Sequence, residues 1–334
     1  MKIKKLHIKN FKSLVDLEIV EPNPFTVFVG ANGVGKSNIF EALELASFLY
    51  DWNKNSAVRL FGGKDSILSR NLLKTFSSEE KEVEIKFESK ETGYFFTSGS
   101  GFSSFTDDGI TDAQQEYNLP FHNEFLAQFL FSFGRIFVKN QELLRVREIS
   151  SERLSIDCSN LEKVLKRLLD DELKREEITE YLQLFVPSLE RVQVLSSELS
   201  GTETLLIFEK DFKKPFTKEL ISDGTYNILC LITAVFQSDE PQFLCIEEPE
   251  NGLNPFVIKE FVNLFRNVCE EKGHYIWLNT HSQSLVGELT PEEIVLVDKV
   301  NGETKVKQIK GLNFHGLPTD EAWVSGALGG GVPW

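Results

Sequence analysis

Residues 30–37 read GANGVGKS, which fits G-x-x-x-x-G-K-[S/T] at every position. Such a turn gathers the backbone N–H groups of Asn32 through Ser37 around an anion, and a helix starting there adds its partial positive charge. Lys36 would carry an ammonium to the β- and γ-phosphates of a nucleoside triphosphate, and the Ser37 hydroxyl suits Mg²⁺. Gly30, Asn32, Gly33, Gly35, Lys36, Ser37 and Asn38 are therefore the candidate nucleotide-binding set. A glycine turn arising by chance would lack the correct flanks. Here an apolar strand pattern, FTVFVG, precedes the motif and a helical pattern follows it.

A second cluster lies in FLCIEEPENGLNP, 243–255, where an apolar run stops at Glu247, Glu248 and Glu250. Acids crowded at the end of a buried strand call for a cation or a proton-transfer role. If this strand lies beside strand 25–29, Glu247 faces the metal through a water. Glu248 then faces the γ-phosphate and positions or deprotonates the attacking water. Glu250 reads as structural or as an interface group. Ser222, Asp223 and Gly224 open a helical pattern in LISDGTYNIL; they suit a phosphate or an ordinary helix N-cap. His281, in NTHS, follows another apolar strand and reads as a catalytic group or, more often, a structural hydrogen-bonder.

The elements needed to hold these groups follow from hydrophobic period. LHIKNF and LVDLEIV alternate and predict a half-exposed hairpin at a sheet edge. FTVFVG, QFLCI and YIWLNT are continuous and predict strands covered on both faces. Ile39, Ala42, Leu43, Ala46 and Leu49 share one face of a helix after the glycine loop. VEIKFES predicts a strand, and the Gly/Ser-rich stretch 96–109 a loop or hairpin. Residues 121–133 look helical, and 159–185 predict two helices with Ser159 or Asn160 as N-cap. Two strands (ERVQVLSSE and TETLLIFEK), helices at 224–236 and 255–271, and closing strands EIVLVD and TKVKQI complete the pattern. The fold class is α/β: a P-loop core with a mixed, largely parallel central sheet, an N-terminal antiparallel β subdomain and an inserted arm. The core spans 1–60 and 190–334; the lid or arm, partly β and mostly helical, spans 61–189.

Composition narrows the classes. With 36 Lys and Arg against 51 Asp and Glu, the formal charge of the 334-residue chain is −15, which disfavours bulk DNA coating. Lys2, Lys4, Lys5, Lys9 and Lys12 offer a local basic patch or simply a solvated strand face. The four cysteines show no close pairing and suit a reducing, cytoplasmic setting. No signal peptide or membrane span is evident.

The order of motifs resembles that of ABC-type ATPases: P-loop, long insertion, Ser-Asp-Gly-Thr, Glu-Glu-Pro-Glu, then Thr-His. Within these it is similar to the RecF/SMC-like branch, which includes the overcoming-lysogenisation-defect family and small defence-associated AAA-family ATPases. KIKKLHIKNFKSL resembles that branch's first strand, IEEPENGLNP its Walker B and D-loop, and EAWVSGALGGGVPW the ending of the small ATPases. The match covers about 1–50 and 190–334. The branch usually has Asp where Glu247 stands. The resemblance implies Mg²⁺-dependent ATP hydrolysis in a head-to-tail homodimer. Ser222 and Gly224 would contact the γ-phosphate on the other protomer, Asn254 would lie at the dimer interface, and His281 would support Glu248. It also implies a separately encoded effector, such as a nuclease in antiphage defence, docked on the arm. DNA remains open as a ligand, and a RecF/SMC-type repair clamp is the alternative. An internal nuclease is disfavoured because VLVDKVNGETKV offers one Asp and no downstream Asp-x-Asp. A transporter ATPase is disfavoured by the missing Gly-Gly-Gln.

Overall fold

The computed structural model describes residues 3–51, 54–69, 82–88, 93–97, 101–106, 109–112, 132–138, 151–197, 202–313 and 316–331. The chain gathers into two compact units, Met1–Phe133 with Tyr275–Trp334, and Gly134–His274. These boundaries fall at other points than the core-and-arm division read from the motifs.

In the first unit, β1 (Lys5–Phe11) and β2 (Leu14–Val20) form the predicted hairpin, with Lys5 opposite Val20 and Phe11 opposite Leu14. Leu6, Ile8, Leu17 and Ile19 alternate inward and are buried, as a half-covered sheet requires. Only β2 is an edge. The other side of β1 pairs with β4 (Glu84–Glu88), and β5 (Gly93–Thr97), β6 (Gly101–Thr106) and β7 (Gly109–Asp112) extend an antiparallel sheet in the order β2-β1-β4-β5-β6-β7. The described residues of the Gly/Ser-rich stretch thus lie in antiparallel strands that continue the N-terminal sheet.

The same unit holds β3 (Phe25–Val29), β13 (Tyr275–Thr280), β14 (Ile294–Val300) and β15 (Glu303–Gln308), in the order β15-β14-β3-β13. β3 is parallel to both neighbours and β15 is antiparallel to β14, so the sheet is mixed. Every residue of β3 and β13 is buried, which explains their unbroken apolar text. The expectation that strand 243–247 adjoins β3 is corrected. Val29 pairs with Thr280 on one side and Leu296 on the other, so both hydrogen-bonding edges of β3 are taken.

In α1 (Lys36–Asp51) the predicted apolar face is buried and burial extends round the helix: residues 39–49 are all buried, Glu41 and Glu44 included. Glu41 is tolerated there because Lys12, in the β1–β2 turn, forms an ion pair with it. Phe28 meets Phe40 edge-on at 5.6 Å and Trp277 at 5.4 Å, joining α1, β3 and β13 in one core. The unit also holds short helices α2 (Lys54–Leu60), α3 (Lys64–Ile67), α8 (Gln283–Val286) and α9 (Thr319–Val324).

The second unit opens with β8 (Phe133–Ile136), a hydrogen-bonded neighbour of β12 (Phe243–Glu247). Helix was predicted up to residue 133, but Phe133 begins this strand; 121–131 lie outside the described residues. α4 (Leu161–Asp170) and α5 (Glu172–Phe185) are the two predicted helices. Asn160 occupies the N-cap position of α4, with no side-chain cap bond. β9 (Leu189–Ser196), β10 (Glu203–Glu209) and β11 (Phe216–Thr217) form a separate antiparallel sheet. α6 (Asp223–Phe236) and α7 (Pro255–Glu271) complete the unit. An aromatic seam fastens its helices: Tyr181 lies 5.5 Å from Phe236, and Phe185 stacks on Phe261 at 4.3 Å. All four cysteines are buried and none forms a disulfide. Among the described residues, no helix is long and apolar enough to cross a membrane.

Candidate functional site

The P-loop leaves β3 and enters α1 in the first unit. Lys36 is 7% exposed, and its Nζ donates to Gly30 O at 2.7 Å and Ala31 O at 2.8 Å. The ammonium is therefore held inside the loop by backbone oxygens. Gly35 has φ 106°, and a Cβ there would stand 2.1 Å from Thr304 Oγ1; conformation and space both require glycine. Ser37 Oγ lies 3.5 Å from Asn279 Nδ2. Asn38 turns its side chain toward the β1–β2 turn, where Nδ2 donates to Ser13 Oγ at 2.7 Å. His281 is exposed, immediately after β13. Because β13 runs parallel to β3 with Thr280 opposite Val29, His281 and the P-loop leave the same end of the sheet.

The acidic cluster, the Ser-Asp-Gly turn and Asn254 belong to the second unit. Glu247 ends β12 and forms an ion pair with Arg135 of β8: Nε donates to Oε1 at 2.6 Å, and Nη2 reaches the same oxygen. Both side chains are 2% exposed. Burying either charge alone would be costly, so each accounts for the other. Glu248 follows with φ 47°, a left-handed conformation uncommon outside glycine. Asn251 holds it there, its N donating to Glu248 O at 3.2 Å and its Nδ2 to Oε2 at 3.1 Å. The half-buried carboxylate is thereby fixed by its own loop.

Ser222 and Asp223 are exposed. Ser222 Oγ caps α6 by accepting from Thr225 N at 3.1 Å. A Cβ on Gly224 would come within 2.4 Å of Gly252 O, so this turn packs directly on the loop after β12. Asn227 Nδ2 ties the two together, donating to Pro249 O and Asn251 O, each at 2.9 Å. Asn254 is also exposed and caps α7, accepting from Val257 N at 3.0 Å.

These residues fit a bound phosphate chain: a glycine loop at a helix N-terminus, with a lysine held by carbonyls it can exchange for phosphate oxygens. The Ser37 hydroxyl, half-exposed in the first turn of α1, suits Mg²⁺, which keeps most of its ligands as water and phosphate. Glu247 suits it only on leaving Arg135. Sequence reading missed Arg135, although a lone Arg in the apolar run FSFGRIFV signals a buried carboxylate partner. It also missed Ser13 and Thr304, for which the sequence carries no signal.

The family described as "AAA domain, putative AbiEii toxin, Type IV TA system" matches residues 25–287. The chain belongs to this family. Among curated proteins, RecF of Leptospira biflexa is 26% identical over 99 residues, covering 30% of this chain and 23% of that protein. RecF of Geobacter sp. strain M21 is 31% identical over 70 residues, 20% of this chain and 19% of that one. Smc of Methanocaldococcus jannaschii is 43% identical over 58 residues, 17% of this chain and 4% of that one. The chain thus spans less than a quarter of the length of these relatives. Among solved structures, the SMC head domain of Thermotoga maritima aligns over 93% of this chain and 100% of its own, with TM-score 0.50 and 15% identity. An Smc head bound to the C-winged helix domain of ScpA aligns over 92% of this chain and 97% of its own, with TM-score 0.52 and 16% identity. At these identities the likeness carries the fold: this AAA-domain protein has the ABC-type ATPase fold of the RecF/SMC branch.

Proposed function

We propose that this AAA-domain protein is an ATP-hydrolysing switch that closes as a head-to-tail homodimer and controls a separately encoded partner. What carries this reading is the presence in one chain of a P-loop with a self-held Lys36, in the first unit, and a strand-end Glu248 fixed by Asn251, in the second. Lys36 and the loop amides bind the β- and γ-phosphates, and Ser37 with Glu247 serves Mg²⁺, which supplies charge neutralisation when bound. Glu248 orients and deprotonates the attacking water, and His281 supports it at the γ-phosphate. Ser222 and Gly224 of one protomer approach the nucleotide of the other, and Asn254 lies at their interface. The exposure of Ser222, Asp223 and Asn254 supports these last roles.

The family description, naming a toxin of a type IV TA system, supports a defence-linked role with a nuclease or other effector. A similar head bound to a ScpA domain supports partner docking. The RecF matches favour a second reading, a nucleotide-dependent clamp on DNA. Glu248→Gln in saturating ATP separates these ideas. It should convert monomer to a stable dimer by light scattering, whereas Lys36→Ala should stay monomeric. A Glu248→Gln protein that remains monomeric, alone and with its operon neighbours, sinks the sandwich. Retention of the dimer by DNA ends without a partner favours the clamp.

A further inference from the structure

A chain of hydroxyl groups fixes the P-loop from outside. Thr304 Oγ1 donates to Val34 O at 2.7 Å, and Ser13 Oγ stands 2.6 Å from Thr304 Oγ1. Asn38 Nδ2 donates to Ser13 Oγ at 2.7 Å. The amide nitrogen only donates and the carbonyl only accepts, so the proton order runs Asn38 to Ser13 to Thr304 to Val34. Thr304 N also donates to Ser13 O at 2.8 Å, and Thr304 is 1% exposed, so the anchor itself is rigidly seated.

The consequence lies in peptide geometry. In a trans peptide the C=O and the following N–H point opposite ways. Holding Val34 O toward β15 therefore aims the Gly35 N–H at the opposite face of the loop, the face left for an anion. Lys299 Nζ does the same for the preceding peptide, donating to Gly33 O at 3.2 Å. The closeness of a Gly35 Cβ to both Thr304 Oγ1 (2.1 Å) and Ser13 Oγ (2.7 Å) shows how tightly this support meets the loop.

We propose that Thr304 and Ser13 form a buttress that presets the P-loop amides, making Thr304 a positioning residue for nucleotide binding. The inference rests on the ATP-binding reading above and adds residues outside every recognised motif. It is tested on the full chain by titrating a fluorescent ATP analogue into wild type, Thr304→Val, Thr304→Ser and Lys36→Ala, with the fold checked by circular dichroism. Thr304→Val keeps the shape and removes the hydroxyl; affinity should fall roughly fivefold to tenfold, the worth of one hydrogen bond. KM should rise while kcat holds, and Thr304→Ser should restore binding. Affinity of Thr304→Val equal to wild type overturns the proposal, as does a Thr304→Ser protein as weak as Thr304→Val. If Thr304→Val fails to fold, Ser13→Ala breaks the same chain one link earlier and is judged by the same outcomes. Amide hydrogen exchange of residues 30–37 without nucleotide reads the buttress directly. Thr304→Val should accelerate it, and unchanged exchange refutes the buttress. Failure of the wild type to bind the analogue instead refutes the nucleotide reading.

Discussion

Arg135 and Glu247 are each intelligible only through the other. Both side chains are 2% exposed, so removing one partner strands a charge away from water. Arg135→Met should lower stability by about 3–5 kcal/mol in urea melts, and adding Glu247→Gln should recover much of that loss. A double variant no more stable than Arg135→Met would show that the loss comes from packing instead. Gly224 sets a second residue-scale test. Its missing Cβ leaves room for Gly252 O, and Gly224→Ala should cost about 1–3 kcal/mol through overpacking, read as a lower urea midpoint. The glycine loop, the acidic strand end and the Ser-Asp-Gly turn were all legible, because their residue types are dictated by local backbone chemistry. Thr304 was not. A threonine in an alternating strand has no local mark of a partner 291 positions away.

At the scale of elements, hydrophobic period predicted β1, β2, β3, β12 and β13, and the helices α4, α5, α6 and α7. It placed Ile39, Ala42, Leu43, Ala46 and Leu49 on one face of α1, and all five are buried; that Glu41 and Glu44 are buried too was illegible, because it depends on Lys12 being brought to Glu41 by the β1–β2 turn. Strand neighbours were also illegible: β3 pairs with β13 and β14, both contributed from far along the chain. β8 was hidden by its own Phe-rich text, which suits a helix as well as a strand. The helices of the second unit rely on aromatic contact, with Phe185 stacked on Phe261 at 4.3 Å. Phe261→Ala should therefore cost about 3–5 kcal/mol, measured by denaturant unfolding.

For the molecule as a whole, acidity should reveal a buried base. Burial, with Lys272 adding to it, pushes the His274 imidazole down to about 4, whereas an unfolded histidine titrates near 6.5. Between these values the unfolded chain binds the extra proton, so stability should fall as pH drops from about 6.5 toward 4, by up to about 3 kcal/mol. Urea midpoints at pH 7, 5.5 and 4.5 should show a steeper fall for wild type than for His274→Gln. Equal slopes would remove His274 as the cause.

The separation of Ser13 from Thr304 also has a meaning in time. A ribosome releases Ser13 and the glycine loop well before the anchoring threonine, which lies 291 positions beyond Ser13. Until then the hydrogen bond from Thr304 to Val34 O cannot form, and the buttress proposal leaves the loop's peptide planes without that restraint. Under the buttress proposed above, the amides of the glycine loop gain their common aim only once residue 304 has emerged and β15 has paired with β14.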